Sequence, residues 1–208
     1  MPLTAIIFDM DGTLGNTLPS IMIALRETFT RFSGHIYSDD EIMTMFGPSE
    51  EGIILRHVPP DLYEPAMQYY LDLYADLHAD QPFPGILELM DHLKRRGLRI
   101  GVATGKGPVS AAISMRAYGL EGYIDRLETG STEGAVKPEL IRRVLSHWEL
   151  PADRAAYVGD AQSDMADARA AGVLPIGAAW SESSSITESD TPYRFMSVAS
   201  LKLWLDSI

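Results

Sequence analysis

Apolar residues along the chain follow two different patterns. Short apolar runs rich in β-branched residues, as in 3–8 and 98–103, are typical of strands buried on both faces of a parallel sheet. Apolar residues three or four positions apart, as in 86–96 and 138–148, predict amphipathic helices. From residue 85 onward the two patterns alternate, which predicts an α/β fold with a doubly wound parallel sheet. Further elements predicted in this way are strands over 124–128, 155–158, 174–178 and 194–196, and helices over 109–118, 165–171 and 200–205.

The stretch between the first two predicted strands contains helical patterns only. Helix caps are predicted at Thr17, Ser38 and Ser49. A block of helices that interrupts an α/β order after its first strand indicates an insertion. We therefore expect an all-helical cap over 17–80, inserted into an α/β core made of 1–16 and 81–208.

The amino-acid composition disfavours several classes of binding partner. The 208 residues carry 17 basic and 29 acidic side chains, a net charge of -12, which disfavours nucleic acid and anionic membranes. The same charge repels small anions, so any site for an anionic substrate must be locally positive. The absence of cysteine excludes disulfides, thiol catalysis and cysteine-ligated metal. With no signal-peptide pattern and no apolar run long enough to span a bilayer, we expect a cytoplasmic protein that does not bind membranes.

Carboxylates directly follow two of the predicted strands. Asp9 and Asp11 come after the first strand, whereas Asp160 follows a later strand and Asp164 stands four residues beyond it. Ligands bind at the carboxyl edge of open α/β sheets, and buried carboxylates need a cation or another partner. Acids so placed are able to supply a nucleophile, a proton donor and metal ligands. The residues alone leave a second interpretation open, in which the first pair shapes a turn and the second pair caps a helix and interacts with its dipole.

Threonine and lysine add candidates for binding an anion. Thr104 follows the strand over 98–103 and precedes a helix, where its hydroxyl and the next backbone N–H groups are placed to bind an anion. A lone lysine is usually a solvated surface charge, and this is the better interpretation for Lys106. Lys137 stands just before another helix, where the uncharged residues 134–136 and the following proline support a held, functional side chain. Four carboxylates at one edge repel one another, and a divalent cation together with Lys137 would relieve the repulsion. Because the candidate ligands are oxygens, magnesium is favoured over zinc.

The order of these features resembles the four signatures of the haloacid dehalogenase-like (HAD) phosphatases. They are FDMDGTL at 8–14, Thr104, Lys137-Pro138, and GDAQSD at 159–164. The resemblance extends to the phosphoglycolate phosphatase-like members, which carry a helical insert after the first strand. It implies a Rossmann-like core and a magnesium-dependent phosphatase that acts on a small phosphorylated metabolite of the phosphoglycolate or sugar phosphate type. For the oligomeric state, we expect a monomer or homodimer.

The resemblance also implies which residues carry out the reaction. Asp9 would be the nucleophile that forms an aspartyl-phosphate. Asp11 would act as general acid and then as general base. Thr104 and Lys137 would complete the catalytic set and, with Asp9 and Gly105, would bind the transferring phosphoryl group.

A magnesium site is implied at the same edge. Asp9, the backbone carbonyl of Asp11, and Asp160 would bind the ion, and Asp164 would support them. Relatives often carry other residues at Asn16, Gly105 and Leu140. Since the first two of these positions border the site, substrate preference is expected to differ.

Three other functions compete with a phosphatase. A phosphoryl-transferring mutase of the β-phosphoglucomutase type would use the same residues. A non-enzymatic phospho-acceptor module, like a response-regulator receiver, also has paired acids and a lysine, but it has no helical insert of this length. A dehalogenase needs no carboxylate at the general-acid position, and Asp11 stands there.

The helical block is expected to act as a mobile lid. Its two connections to the core, near 15–16 and 81–84, contain the glycine and prolines of a hinge and a stiff linker. Candidate specificity residues within it lie at 46–50 and near Arg56.

Overall fold

The computed structural model describes residues 2–134 and 136–208. Within that part of the chain, six strands form one parallel sheet in the order β3-β2-β1-β4-β5-β6. The strands are β1 (Ala5–Phe8), β2 (Arg99–Ala103), β3 (Arg126–Glu128), β4 (Ala155–Gly159), β5 (Leu174–Ala178) and β6 (Arg194–Phe195). This order places the first strand of the chain near the centre of the sheet.

The register of the central strands decides where the polar residues emerge. Phe8, the last residue of β1, lies opposite Val102 of β2 and Val158 of β4. All three are fully buried, as expected for a strand covered on both faces. Because parallel strands run in one direction, the residues that follow them, among them Asp9 and Asp160, emerge at the same edge.

Helices cover both faces of the sheet, as predicted for a doubly wound fold. They are α5 (Ile86–Arg95), α6 (Pro108–Ala117), α7 (Lys137–His147), α8 (Gln162–Ala171) and α9 (Val198–Asp206). Buried residues of α5, α6 and α9 form one apolar cluster with the sheet, and those of α7 and α8 form a second cluster on the other face. The predicted fold class is therefore confirmed. No helix in the described ranges combines the length and the apolar character that crossing a bilayer requires.

Four helices lie between β1 and α5 in the chain, and we call residues 17–80 the helical insert. They are α1 (Leu18–Phe32), α2 (Asp39–Met45), α3 (Glu50–His57) and α4 (Tyr63–Leu77). Their buried side chains form a third apolar cluster, separate from the two clusters that cover the sheet. One of its contacts with the core is at α6, where the Ser114 hydroxyl lies 2.8 Å from the Tyr74 hydroxyl and 2.9 Å from His78 Nε2.

Of the three predicted helix caps, one forms side-chain hydrogen bonds with its helix and two do not. Ser38 caps α2 through a complete capping box, as predicted. Ser49 and Thr17 occupy the positions that precede α3 and α1, but neither side chain bonds to its own helix. Helix α8 begins at Gln162, three residues before the predicted start, because its first turn is polar and carries no apolar period.

Candidate active site

Three carboxylates meet at the carboxyl edge of the central strands. Asp9 follows β1, Asp160 follows β4, and Asp164 lies in the first turn of α8. Each is buried, and one oxygen from each lies within 4.8 Å of the others. Asp164 Oδ2 also accepts the backbone N–H of Ala161 at 2.9 Å, so the helix-start interpretation holds for Asp164 as well. Ala161, and not Asp160, occupies the cap position.

Two glycines make room for this cluster. Gly12 has φ +72°, and a Cβ at this position would lie 2.1 Å from Asp160 Oδ2. A Cβ at Gly159 would lie 2.5 Å from the Asp164 side chain. Since real atoms do not approach so closely, any side chain at either glycine would push a carboxylate out of the cluster.

Lys137 is the cation of this cluster. As the first residue of α7, it places Nζ 2.6 Å from Asp164 Oδ1 and 3.2 Å from Asp9 Oδ2. Burial alone would lower its pKa, but the negative charge of Asp9 and other neighbours raises the pKa of Lys137 well above its usual value. A solvated surface charge, the usual state of a lone lysine, is therefore excluded for Lys137, whose side chain keeps only 16% of its surface exposed.

Burial raises the pKa of two of the three clustered carboxyls. Burial, with contributions from the neighbouring carboxylates, raises the pKa of Asp9 to about 8 although Lys137 opposes the rise. Burial and Asp164 likewise raise the pKa of Asp160 to about 7. Asp9 Oδ1 is buried, and no described residue hydrogen-bonds to it. A hard divalent cation fits this oxygen-only set, because it would offset the repulsion and bind the unpartnered oxygen.

Asp11 lies outside the group of three clustered carboxylates. The Thr17 hydroxyl donates a hydrogen bond to Asp11 Oδ1. The Thr17 backbone is helical, with φ -95° and ψ -18°, instead of the extended conformation typical of a side-chain cap. The Lys106 ammonium lies 3.4 Å from the same oxygen. The Asp11 side chain keeps 30% of its surface exposed, so a substrate or water is able to reach it.

Lys106 is buried, which corrects the expectation of a solvated side chain. It lies in the loop between β2 and α6, and its Nζ is 3.0 Å from Glu50 Oε1 in helix α3 of the insert. The ammonium also stands 4.4 Å from the centre of the Tyr74 ring. Burial alone would raise the pKa of Glu50, but Lys106 and the backbone N–H of Gly107, 2.7 Å away, together lower it. Sequence reasoning missed this pair, because neither residue has a local pattern that predicts burial.

Thr104 and Gly105 lie where the sequence placed them. Thr104 directly follows β2 and is fully buried, with its hydroxyl accepting the Lys106 backbone N–H at 3.3 Å. The backbone N–H of Thr104 donates to the Glu128 carbonyl at 3.1 Å. Gly105 lines the cavity described next. Binding of a phosphoryl group by these residues stays a prediction.

A cavity of about 380 Å³ opens between this edge and the helical insert, a size suited to a small ligand. Asp9, Asp11 and Lys137 line it from the core. The insert contributes Ile21, Phe46, Gly47, Pro48, Glu50 and Ile53. Four of the five predicted specificity residues at 46–50, all except Ser49, therefore line the cavity. Arg56 is exposed and instead donates to the Thr132 carbonyl at 2.9 Å.

Comparison of the sequence with models of known protein families identifies the family of this chain. The sequence model described as haloacid dehalogenase-like hydrolase matches residues 6–178. The chain belongs to the haloacid dehalogenase-like hydrolases. The matched range includes all four sequence signatures noted above.

Relatives with assigned activities agree with this membership in the HAD-like hydrolases. The phosphoglycolate phosphatase of Rhodospirillum rubrum is 31% identical over 184 residues, 81% of this chain and 76% of the relative. The pyrophosphatase PpaX of Bacillus pumilus is 28% identical over 183 residues, 86% of this chain and 84% of the relative. The crystal structure of a predicted phosphoglycolate phosphatase from Haemophilus somnus shares the fold, with a TM-score of 0.79, 19% identity and coverage of 99% and 98% of the two chains. The expected phosphoglycolate phosphatase-like HAD phosphatase is thus confirmed at the level of family and enzyme class.

Proposed function

We propose that this HAD-like hydrolase releases inorganic phosphate from small phosphate monoesters through an aspartyl-phosphate on Asp9, with magnesium bound at the carboxylate edge. The observation that carries the proposal is the state of the Asp9 carboxylate. One oxygen is paired with Lys137, and the other is buried without a hydrogen bond from any described residue, in a side chain that lines the cavity. A carboxylate so held is positioned to attack phosphorus. The names of the two relatives, a phosphoglycolate phosphatase and a pyrophosphatase, support the reaction class.

Magnesium is the cofactor that the residues fit best. Asp9, Asp160 and the backbone carbonyl of Asp11 would bind it, and Asp164 would hold the shell in place through its bonds to Ala161 and Lys137. Oxygen ligands and a phosphorylated substrate are typical of magnesium sites. When bound, the ion would neutralise charge on the phosphoryl group and favour the ionised form of the carboxyls.

The proposed reaction has two steps. Asp9 forms a bond to phosphorus as the ester P–O bond breaks, and Asp11 donates a proton to the departing oxygen. Water then attacks phosphorus and gives a proton to Asp11, and the bond between Asp9 and phosphorus breaks to release phosphate. Lys137 and Thr104 would hold the negative charge of the transferring group. The Thr17 hydroxyl fixes the direction of the Asp11 carboxyl.

The helical insert is proposed to act as a mobile cap over this reaction. Its apolar cluster is separate from the clusters on the sheet, and the chain enters and leaves it once, before α1 and after α4. Closure would exclude bulk water and bring residues 46–50 to the leaving group.

Phosphate release from a panel of phosphate esters tests the proposal. We expect release with magnesium, loss of release after exhaustive chelation, and recovery when magnesium is returned. Asp9→Asn should reduce turnover to background, whereas Asp76→Asn, which changes an exposed carboxylate of α4, should retain the native rate. Full activity after chelation would refute the metal requirement, and turnover by Asp9→Asn would refute the aspartyl-phosphate.

A further inference from the structure

The leaving-group side of the cavity is formed where the helical insert meets the core. Ile21, Phe46 and Ile53 give this side an apolar wall. Among the described residues that line the cavity, the cations are Lys106 and Lys137. Lys137 forms ion pairs with Asp9 and Asp164, and in the proposed reaction it binds the transferring phosphoryl group. The charge that a leaving group meets in the cavity therefore depends on Lys106 and the carboxyl groups beside it.

Two carboxyl groups lie beside Lys106. Its ammonium is 3.0 Å from Glu50 Oε1 and 3.4 Å from Asp11 Oδ1, and its side chain is 1% exposed. Because Asp11 carries a proton when it donates to the leaving group in the proposed reaction, Glu50 is the carboxylate that balances the ammonium, and no net positive charge is left for a ligand. A second anionic group placed here would meet the ionised Glu50 at short range in a poorly solvated pocket, where like charges repel strongly.

Glu50 is fixed in place by the core. Its Oε2 accepts the Gly107 backbone N–H at 2.7 Å, and its Oε1 accepts the Ser110 hydroxyl at 2.9 Å. The Tyr70 hydroxyl adds a long contact of 3.5 Å to Oε1. With its side chain 5% exposed and so many donors around it, Glu50 would lose several bonds if an anionic ligand displaced it from Lys106.

From this geometry we infer that Glu50 is a specificity-determining residue that selects monoesters whose leaving group is an uncharged alcohol. The inference rests on the proposed function and narrows its substrate class. Of the two substrate types that the sequence suggested, it favours an uncharged sugar or polyol phosphate over phosphoglycolate. Esters that carry a second phosphate are disfavoured for the same reason.

Two esters with leaving groups of the same length provide the test. Phosphoglycolate releases glycolate, which is anionic, whereas 2-hydroxyethyl phosphate releases ethylene glycol, which is neutral. With magnesium present, we expect the native protein to favour 2-hydroxyethyl phosphate by about tenfold or more in kcat/KM. A native preference for phosphoglycolate would overturn the inference.

Variants of the pair should move this preference in opposite directions. Glu50→Gln leaves Lys106 with Asp11 as its remaining carboxyl group and should lower the ratio of kcat/KM values, neutral over anionic, by about tenfold. Lys106→Met leaves Glu50 without its cation and should raise the ratio. Glu27→Gln, which removes an exposed carboxylate of α1, serves as the charge-matched control and should leave the ratio unchanged. A merely structural role for Glu50 would reduce both substrates alike, and an unchanged ratio in Glu50→Gln would overturn the inference.

Binding separates this inference from the proposed reaction. Calorimetry on Asp9→Asn, with and without Glu50→Gln, measures the affinities of the two esters without turnover. If the native protein releases no phosphate while the affinities show the expected charge preference, the reaction is wrong and the selection by Glu50 stands. If phosphate is released but the affinities of Asp9→Asn show no preference that Glu50→Gln reduces, the reaction stands and the selection is wrong.

Discussion

Two lysines at the same edge of the sheet each lie between two carboxylates, but they are built differently. Lys137 contacts Asp9 and Asp164, so this set, the core cluster, comes entirely from the α/β core. Lys106 contacts Asp11 of the core and Glu50 of the helical insert, and we call this set the insert cluster. Their exposure differs as well, since the Lys137 side chain is 16% exposed and the Lys106 side chain only 1%.

The difference teaches what each cation is able to do. Lys137 opens on the cavity beside an Asp9 oxygen that no described residue hydrogen-bonds, so it is able to meet an incoming phosphoryl group. Lys106 is covered by the insert and has its charge balanced by Glu50, so it shapes the surroundings of Asp11 and of the leaving group. In the proposed reaction, similar ion pairing would thus serve charge binding in one cluster and charge exclusion in the other.

Asp9 in the core cluster and Asp11 in the insert cluster have proposed roles in the reaction. Replacing each of them should give the largest difference in activity between the clusters. Asp9→Asn should lose turnover of every ester by about 10³-fold or more, because no other group is placed to attack phosphorus. Asp11→Asn should lose about 10²–10⁴-fold with an alkyl phosphate, whose leaving oxygen needs a proton. With nitrophenyl phosphate its first step should partly survive, because nitrophenolate departs as the anion, while the second step still lacks its base. A burst of nitrophenolate should then accompany a phosphorylated protein.

Intact-protein mass after rapid acid quench measures that phosphoenzyme, with the modification mapped to Asp9. Asp76→Asn provides the control for a lost carboxylate. Equal losses for alkyl and nitrophenyl phosphates, without phosphoenzyme, would show that Asp11 does not transfer protons as proposed.

Replacing each lysine should give the next largest difference between the two clusters. Lys137→Met should lower kcat by about 10²–10³-fold for all esters, because it removes a positive charge beside the transferring group. Lys106→Met should lower activity less and unequally among leaving groups. Thermal melting of both variants, with Lys202→Met in α9 as control, corrects for the stability that a broken buried pair costs. Losses of equal size and equal dependence on the leaving group would remove the distinction between the clusters.

Sequence reasoning found the core cluster because its signals are local. An apolar run followed at once by a polar residue marks the edge of the sheet, and this placed Asp9, Thr104 and Asp160 correctly. The insert cluster has no such signal, since Glu50 and Lys106 are far apart in the chain and become buried only when α3 docks on the loop after β2. For the same reason their ion pair could not be predicted from the sequence.

Thr17 shows how a correct local pattern can mislead. Its position before a helix favoured a cap, and it does occupy that position. Its hydroxyl is instead used by Asp11, because the chain turns back on itself between the first strand and α1. The sequence contains Asp11 a few residues before Thr17, but it does not show that the two side chains meet.

A smaller effect is expected where the core cluster would bind metal. Asp160→Asn should weaken magnesium binding and reduce turnover by about 10–100-fold, the usual cost of disturbing a metal site. Titration of activity with magnesium measures this change, and raised magnesium should recover part of the rate. Glu50→Gln, in the insert cluster, should leave the magnesium requirement unchanged. A native magnesium titration curve for Asp160→Asn would exclude this carboxylate from the metal site.

The smallest effect is a pair of opposite pH signatures in the stability of the metal-free protein. The pKa of Asp160 is raised from 3.8 to about 7 in the fold, so between these values the native state binds more protons than the unfolded chain. Stability from this group is then present at low pH and is lost as pH rises toward neutrality. The lowered pKa of Glu50 acts in the other direction, because its contribution is present above the unfolded value of 4.5 and is lost as pH falls through the folded value.

Substitution should therefore change the melting temperature with opposite signs at neutral pH. Near about pH 7.5, Asp160→Asn should raise Tm of the metal-free protein and Glu50→Gln should lower it, each by about 3 °C or more. At acid pH, where both carboxyls are protonated, the two differences should shrink. Magnesium should reverse the first sign, because it stabilises the native protein through the ionised Asp160 and not the variant. If Asp160→Asn instead lowers Tm without metal at neutral pH, then burial and repulsion do not destabilise the ionised Asp160, and no cation is needed at this edge to offset them.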